Sequence, residues 1–274
     1  MTDPIILPAG SALRSRFEAL AAHQRMVFIA GLPGVGKSLL VRQLALLAHR
    51  AGRRIHLLQW DAARSAFETP AILARYPEVD GFTHLAIKKA VGQWARGHLL
   101  RWHESNADPA NLLIAEAVFI GNRLSELIEP APDQAESLLA SELLRFVLPV
   151  PTREVRQLIE ASRDRTMEAP RHPREKVDAR PNVLRALWDE VYREGTGQPP
   201  GQGPAPYDPE IYTAVFRRWL AARHVEVIPI DQPLDGSTSA YDFGVPVEDL
   251  AATPLEVART MTAIDEMFGP NVPR

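Results

Sequence analysis

The chain reads as an α/β protein, a parallel sheet held between two layers of helix. Two observations predict this. Five short apolar runs alternate with helical patterns, as strands covered on both faces require. The first run also leads through a glycine-rich turn straight into an amphipathic helix and then a second run, a strand–helix–strand unit whose crossover should be right-handed.

The elements follow in order. Residues 11–24 place Leu13, Phe17 and Leu20 on one face of a helix. The run 26–30 (MVFIA) is a buried strand ended by Gly31, a helix spans 37–50 with Gly52 to end it, and 54–60 is a second strand. Residues 62–110 form a long helical insertion without a strand, in which Trp94, His98 and Trp102 recur at helical spacing. The run 111–119 fits strand or buried helix by period alone; we read 112–116 as strand and 118–128 as helix. A helix near 133–144 precedes a fourth strand at 145–150, and helices follow at 153–165 and 182–194. Between those two helices lies a segment rich in proline and arginine, 169–181. A flexible Gly/Pro linker occupies 195–206. Asp208-Pro209 opens a helix to about 223, a fifth strand covers 225–230, and the last helix starts at Thr253-Pro254. We expect one domain over residues 1–274.

Composition narrows the possible functions. The net charge is −3, so no overall field draws the chain to nucleic acid or an anionic membrane. Cysteine is absent, which excludes disulfides, thiolate nucleophiles and Cys-zinc sites. There is no run of about 18 apolar residues and no charged-then-apolar leader, so the expected location is the cytoplasm. Lysine stands only at 37, 88, 89 and 176 among 31 basic residues. Any phosphate site away from residue 37 therefore relies on arginine, whose planar fork suits phosphate oxygens.

Residues 31–38, GLPGVGKS, satisfy G-x-x-x-x-G-K-[ST] between an apolar strand and a helix. Glycines let successive backbone N–H groups converge on one anion, and the helix adds the positive end of its dipole. In this pattern Gly31, Leu32, Pro33, Gly34, Val35, Gly36, Lys37, Ser38 and Leu39 bind nucleotide phosphates, Lys37 bridges the terminal ones and Ser38 takes Mg²⁺. The stretch resembles the P-loop NTPase superfamily, and its surroundings resemble the small-molecule and nucleoside kinases within it. The resemblance implies a five-stranded sheet of order 2-3-1-4-5, with ATP and Mg²⁺ as cofactors. It also implies a Mg²⁺-holding acid at the end of an apolar strand, where LLIAE puts Glu116; the alternative is a surface carboxylate.

The flanking residues separate hydrolysis from transfer. No N-K-x-D guanine reader is present, and alanine precedes Glu116 where motor ATPases carry a second acid. Asp61 and Arg64 follow the second strand at the sheet edge where open α/β folds bind ligands. There Asp61 could receive the acceptor hydroxyl's proton, or cap the next helix. The insertion 62–110 stands where such kinases bind the acceptor, with Trp94, His98, Trp102 and His103 as wall or core; zinc at the two histidines lacks an acid partner. The segment 151–181 resembles a lid. Arg153, Arg156 and Arg163 are its candidate catalytic cations, with pairing to Glu154, Glu160 and Asp164 as the alternative. Glu175 and Asp178 belong to lid or acceptor contact, Arg123 to the acceptor or a helix surface, and Asp231 and Pro233 to the adenine. The expected activity moves the γ-phosphoryl of ATP·Mg to a small-molecule acceptor, without membrane or nucleic-acid partners. The alternative is a regulatory or motor ATPase acting on a macromolecule.

Overall fold

The computed structural model describes residues 4–79, 81–177, 181–201, 203, 205–234 and 238–268. Its centre is one all-parallel sheet of strands β1 (Met26–Ala30), β2 (Arg54–Gln59), β3 (Asn111–Ala117), β4 (Leu144–Pro151), β5 (Val225–Ile230) and β6 (Glu248–Asp249). They lie in the order β5-β4-β1-β3-β2-β6. The expected five-stranded sheet is thus corrected to six, with β6 added outside β2. Two residues, both exposed, make up β6, so no apolar run announces it.

Pleating divides each strand between two cores. Val27, Ile29, Leu57, Leu112 and Ile114 pack with helices α1 (Ala12–His23) and α2 (Lys37–Arg50). Met26, Phe28, Leu58, Leu113 and Ala115 face the opposite layer. That layer contains α3 (Trp60–Ser65), α5 (Leu85–Ser105), α8 (Pro181–Thr196), α9 (Pro209–Trp219) and α10 (Pro254–Phe268). Two further helices, α4 (Pro70–Arg75) and α6 (Gln134–Leu139), lie in the connections, and α7 (Arg153–Glu168) follows β4. Among the described residues no helix is long and apolar enough to cross a membrane.

The helical stripe of the insertion is core. Trp94 packs edge-on to Phe67, and Trp102 lies under the Arg25 guanidinium and beside His56. Both tryptophans are buried, and α5 rests on α10, so these side chains wall no ligand site.

The helix expected over 118–128 does not form. Asn122 and Leu124 adopt left-handed φ of 58° and 57°, and only Ser125–Leu127 make a short 3₁₀ turn. The apolar spacing that suggested a helix reflects burial of Val118, Phe119, Ile120 and Leu124 in an irregular chain. Two buried arginines replace the missing helical hydrogen bonds. Arg96 donates to the carbonyls of Glu126 and Glu129, at 2.6 and 3.2 Å, and to Asp133. Arg223 donates to the carbonyls of Leu127 and Glu129, at 2.9 and 3.2 Å. Glu136 joins them, with carboxylate oxygens 2.6 Å from each guanidinium. In the segment 195–206, α8 runs on through Thr196, and the other described residues are in neither helix nor strand.

The Arg223 hydrogen bond, aided by Arg96 and opposed by burial, holds the Glu136 carboxyl down to about 2. Its folded pKa lies below the unfolded value, so its stabilisation is complete above about pH 4.5 and fades as pH falls towards 2. Glu136→Gln should lose about 3 kcal/mol in urea denaturation at pH 7, having left two buried cations short of an anion. It should also flatten the drop in stability between pH 4.5 and 2; an unchanged acid limb in the variant would refute this account.

Candidate functional site

The site starts where β1 ends. Gly31 turns the chain at φ 136°, and a Cβ there would lie 2.2 Å from the buried Tyr212 hydroxyl oxygen, so no larger residue fits. Gly36, at φ 87°, caps α2 with no side chain closing the first turn. The helix's first amides are thereby left to an external acceptor, at the positive end of its dipole.

Lys37 is buried, with Nζ donating to the Leu32 carbonyl at 3.0 Å and lying 3.6 Å from Glu116 Oε1. Burial lowers its pKa to about 8; Glu116 opposes the shift, while the Arg163 and Arg123 charges reinforce it. Ser38 Oγ donates to the same Glu116 oxygen at 3.1 Å. Glu116 stands at register with Ile29 of β1 and Gln59 of β2, near the carboxyl ends of three parallel strands. Lysine, serine and glutamate thus converge on one point.

They open into a cleft of about 1410 Å³. Pro33–Leu39 form its floor, whereas Gly31 and Leu32 stand behind the floor as support and are absent from the lining. At the β2 end, Asp61, Arg64 and Arg123 line the cleft with Trp60, Glu78 and Thr83. The helix α3 is capped at Gln59 without a side-chain bond, so Asp61 is no N-cap; it lies in the first turn, mostly exposed, 3.6 Å from Arg64. Arg64 donates to Glu68 at 2.8 Å and to Thr83 Oγ1 at 3.2 Å. The guanidinium of Arg123 stands 5.9 Å over the Trp60 ring. At the β5 end the walls are apolar: Leu40, Leu158, Ile159, Ile230, Pro233 and Leu234. Pro233 therefore lines the cleft, and Asp231 does not.

Of the three lid arginines, the cleft receives only Arg163. Arg153 turns to Asp208, 2.6 Å away. Arg156 is buried, donating to Glu160 at 2.7 Å and lying 4.5 Å over the Tyr207 ring. Both therefore depart from the expected cleft position. The spacing of seven does put Arg156 and Arg163 on one helical face. Near its start, however, that face of α7 packs against Trp188 and Tyr207, and Arg163 stands about 10 Å further along, beyond them.

The segment expected as a lid lies over the cleft, but its contacts across the cleft are not legible in the sequence. Arg165, Arg171 and Arg174 also line the cleft. Arg174 crosses it to donate to Gln59 Oε1 at 2.6 Å and pairs with Asp249 of β6 at 3.3 Å. Glu175 is buried, accepting from the amides of Arg171 and His172 and from Ser239. It is thus a roof contact; Asp178 lies outside the described residues. A turn rich in arginine and proline signals neither crossing, because its partners are distant in sequence. His98 and His103 join no metal cluster, and among the described residues no group of three potential ligands is found.

A polyphosphate seated on the loop would restore the Lys37 charge that burial suppresses. Binding of a nucleoside triphosphate at pH 8 should therefore take up about half a proton, seen as a calorimetric enthalpy that varies with buffer ionisation. The uptake should shrink at pH 6.5 and vanish in Lys37→Met; buffer-independent enthalpies at pH 8 would contradict it. No protein-family model and no curated protein sequence matches the chain, so the cleft's own chemistry bears the functional reading.

Proposed function

We propose that the protein transfers the γ-phosphoryl group of ATP to a hydroxyl of a small molecule, as the resembling P-loop kinases do. The observation that carries the reading is the shared cleft. Its floor is the glycine loop with Lys37, Ser38 and Glu116; one end holds Asp61 and Arg123, and Arg163 stands on the wall.

The loop amides and Lys37 hold the β- and γ-phosphates. Ser38 would ligate Mg²⁺ directly and Glu116 through water; the fit rests on their 3.1 Å hydrogen bond beside Lys37. When bound, Mg²⁺ neutralises phosphate charge and fixes the geometry of the triphosphate. Asp61 accepts the acceptor hydroxyl's proton while the oxygen's electron pair forms a bond to the γ-phosphorus. The bond from that phosphorus to the β–γ bridging oxygen breaks, ADP leaves with the electron pair, and the proton passes from Asp61 to solvent. Arg163 offsets charge on the transferred group, and the roof through Arg174 and Glu175 limits water. The apolar walls near Pro233 and Leu158 suit the nucleobase. Hydrolysis finds less support, since Glu116 is engaged by Ser38 and its neighbours on β3 are Ala115 and Ala117.

Incubation of the protein with γ-³²P-ATP and a metabolite extract tests the reading. Label should move to an organic product; Asp61→Asn should lower kcat by at least about 100-fold, and Arg163→Ala by about 10- to 1000-fold. Label appearing only in inorganic phosphate would overturn the proposal. Full transfer by Asp61→Asn would remove the acid–base assignment alone.

A further inference from the structure

We propose that the acceptor is an anion: a small hydroxylated metabolite whose carboxylate or phosphate is held by Arg123. This deepens the phosphotransfer reading and rests on it.

Three observations lead there. Arg123 is half-buried at the cleft, yet among the described residues its guanidinium makes no hydrogen bond or salt bridge; it stands over the Trp60 ring and feels the Asp61 charge. Its five donors therefore stand open to the cleft, available to a ligand oxyanion. By contrast, Arg64 is already held by Glu68, Thr83 and Asp61, so it has less to offer a ligand.

The backbone presenting Arg123 is also built for the purpose. Asn122 and Leu124 flank it in left-handed conformations, one that asparagine tolerates and one that leucine avoids, and the fully buried Leu124 pins the segment. Strain of this kind persists where surrounding structure over-determines it, here the Arg96–Glu136–Arg223 network. Lastly, Arg123 lies close enough to Asp61 and to Lys37 for their charges to act on one another. An oxyanion on Arg123 would therefore leave a neighbouring hydroxyl within the space between Asp61 and the transferred phosphorus. Among the described residues seven basic and four acidic side chains line the cleft, and the excess favours a second anion beside the nucleotide.

The test separates a metabolite extract on an anion-exchange resin and incubates retained and unretained fractions with γ-³²P-ATP and the full-length protein. Label should enter an organic acceptor from the retained fraction. Arg123→Ala should lose roughly 10- to 100-fold in kcat/KM for that acceptor, mainly through KM, and Arg123→Lys should recover part of it. Phosphatase treatment of the retained fraction, with the enzyme removed before ATP is added, separates the sources. Loss of acceptor activity points to a phosphate, survival to a carboxylate. Label entering only unretained compounds, or an unchanged KM in Arg123→Ala, would overturn the inference and leave phosphotransfer standing. ATP consumed with no labelled acceptor in either fraction would overturn both.

Discussion

The burial of the Lys37 ammonium is the constraint around which the cleft is arranged. A cation out of water needs a nearby anion and hydrogen-bond acceptors, and here the loop's own Leu32 carbonyl and Glu116 supply them. This fixes the end of β3 relative to the end of β1, since the carboxylate must reach both Lys37 and Ser38. It also fixes the loop: Nζ can fold back to Leu32 only because the chain turns sharply at Gly31. Tyr212, from α9, closes the space behind that turn. Burial still holds the ammonium below its usual pKa, so an anion arriving on the loop would add to the charge that Glu116 supplies.

The acceptor end depends on a different balance. A regular helix after β3 would have satisfied its own backbone but would not have placed Arg123 between the left-handed Asn122 and Leu124, with its guanidinium over Trp60. The chain instead takes an irregular course and binds its carbonyls to Arg96 and Arg223. Two buried guanidiniums cost heavily in desolvation, and Glu136 between them offsets much of it. The network lies outside the cleft and does no chemistry, yet it fixes the segment that presents Arg123.

What the sequence reveals divides along the same line. The glycine loop, the strands β1 to β5 and Glu116 at the end of an apolar run are legible because their signals are local: period, glycine placement, an acid closing an apolar run. The strand β5 is found at the residues expected, 225–230. The segment 118–128 misleads because burial, not helical periodicity, set its apolar spacing; Gly121-Asn122 carries a turn signal, but the left-handed Leu124 has no signature in sequence. Trp94 and Trp102 lie at helical spacing for the ordinary reason of core packing. Arg156 and Arg163 share a face by spacing, but spacing does not say where along α7 another helix ends its cover.

The short strand β6 shows how a weak element can acquire a purpose. Two exposed residues add little to a sheet on their own. Their pairing with His56 and Leu57 brings Asp249 alongside the end of β2. There Asp249 and Gln59 together receive Arg174, which has crossed from the segment after α7. The roof is therefore tied at two places on the sheet, through β4 and α7 inside one edge and through β6 at the other edge. Its ties on the β6 side are side-chain hydrogen bonds and an exposed ion pair, each modest in water. Covalent continuity with β4 makes the first tie the stronger and the β6 side the weaker. On the proposed phosphotransfer reading the cleft admits a nucleotide and an acceptor and then excludes water, and a roof held firmly at one side and weakly at the other suits that sequence.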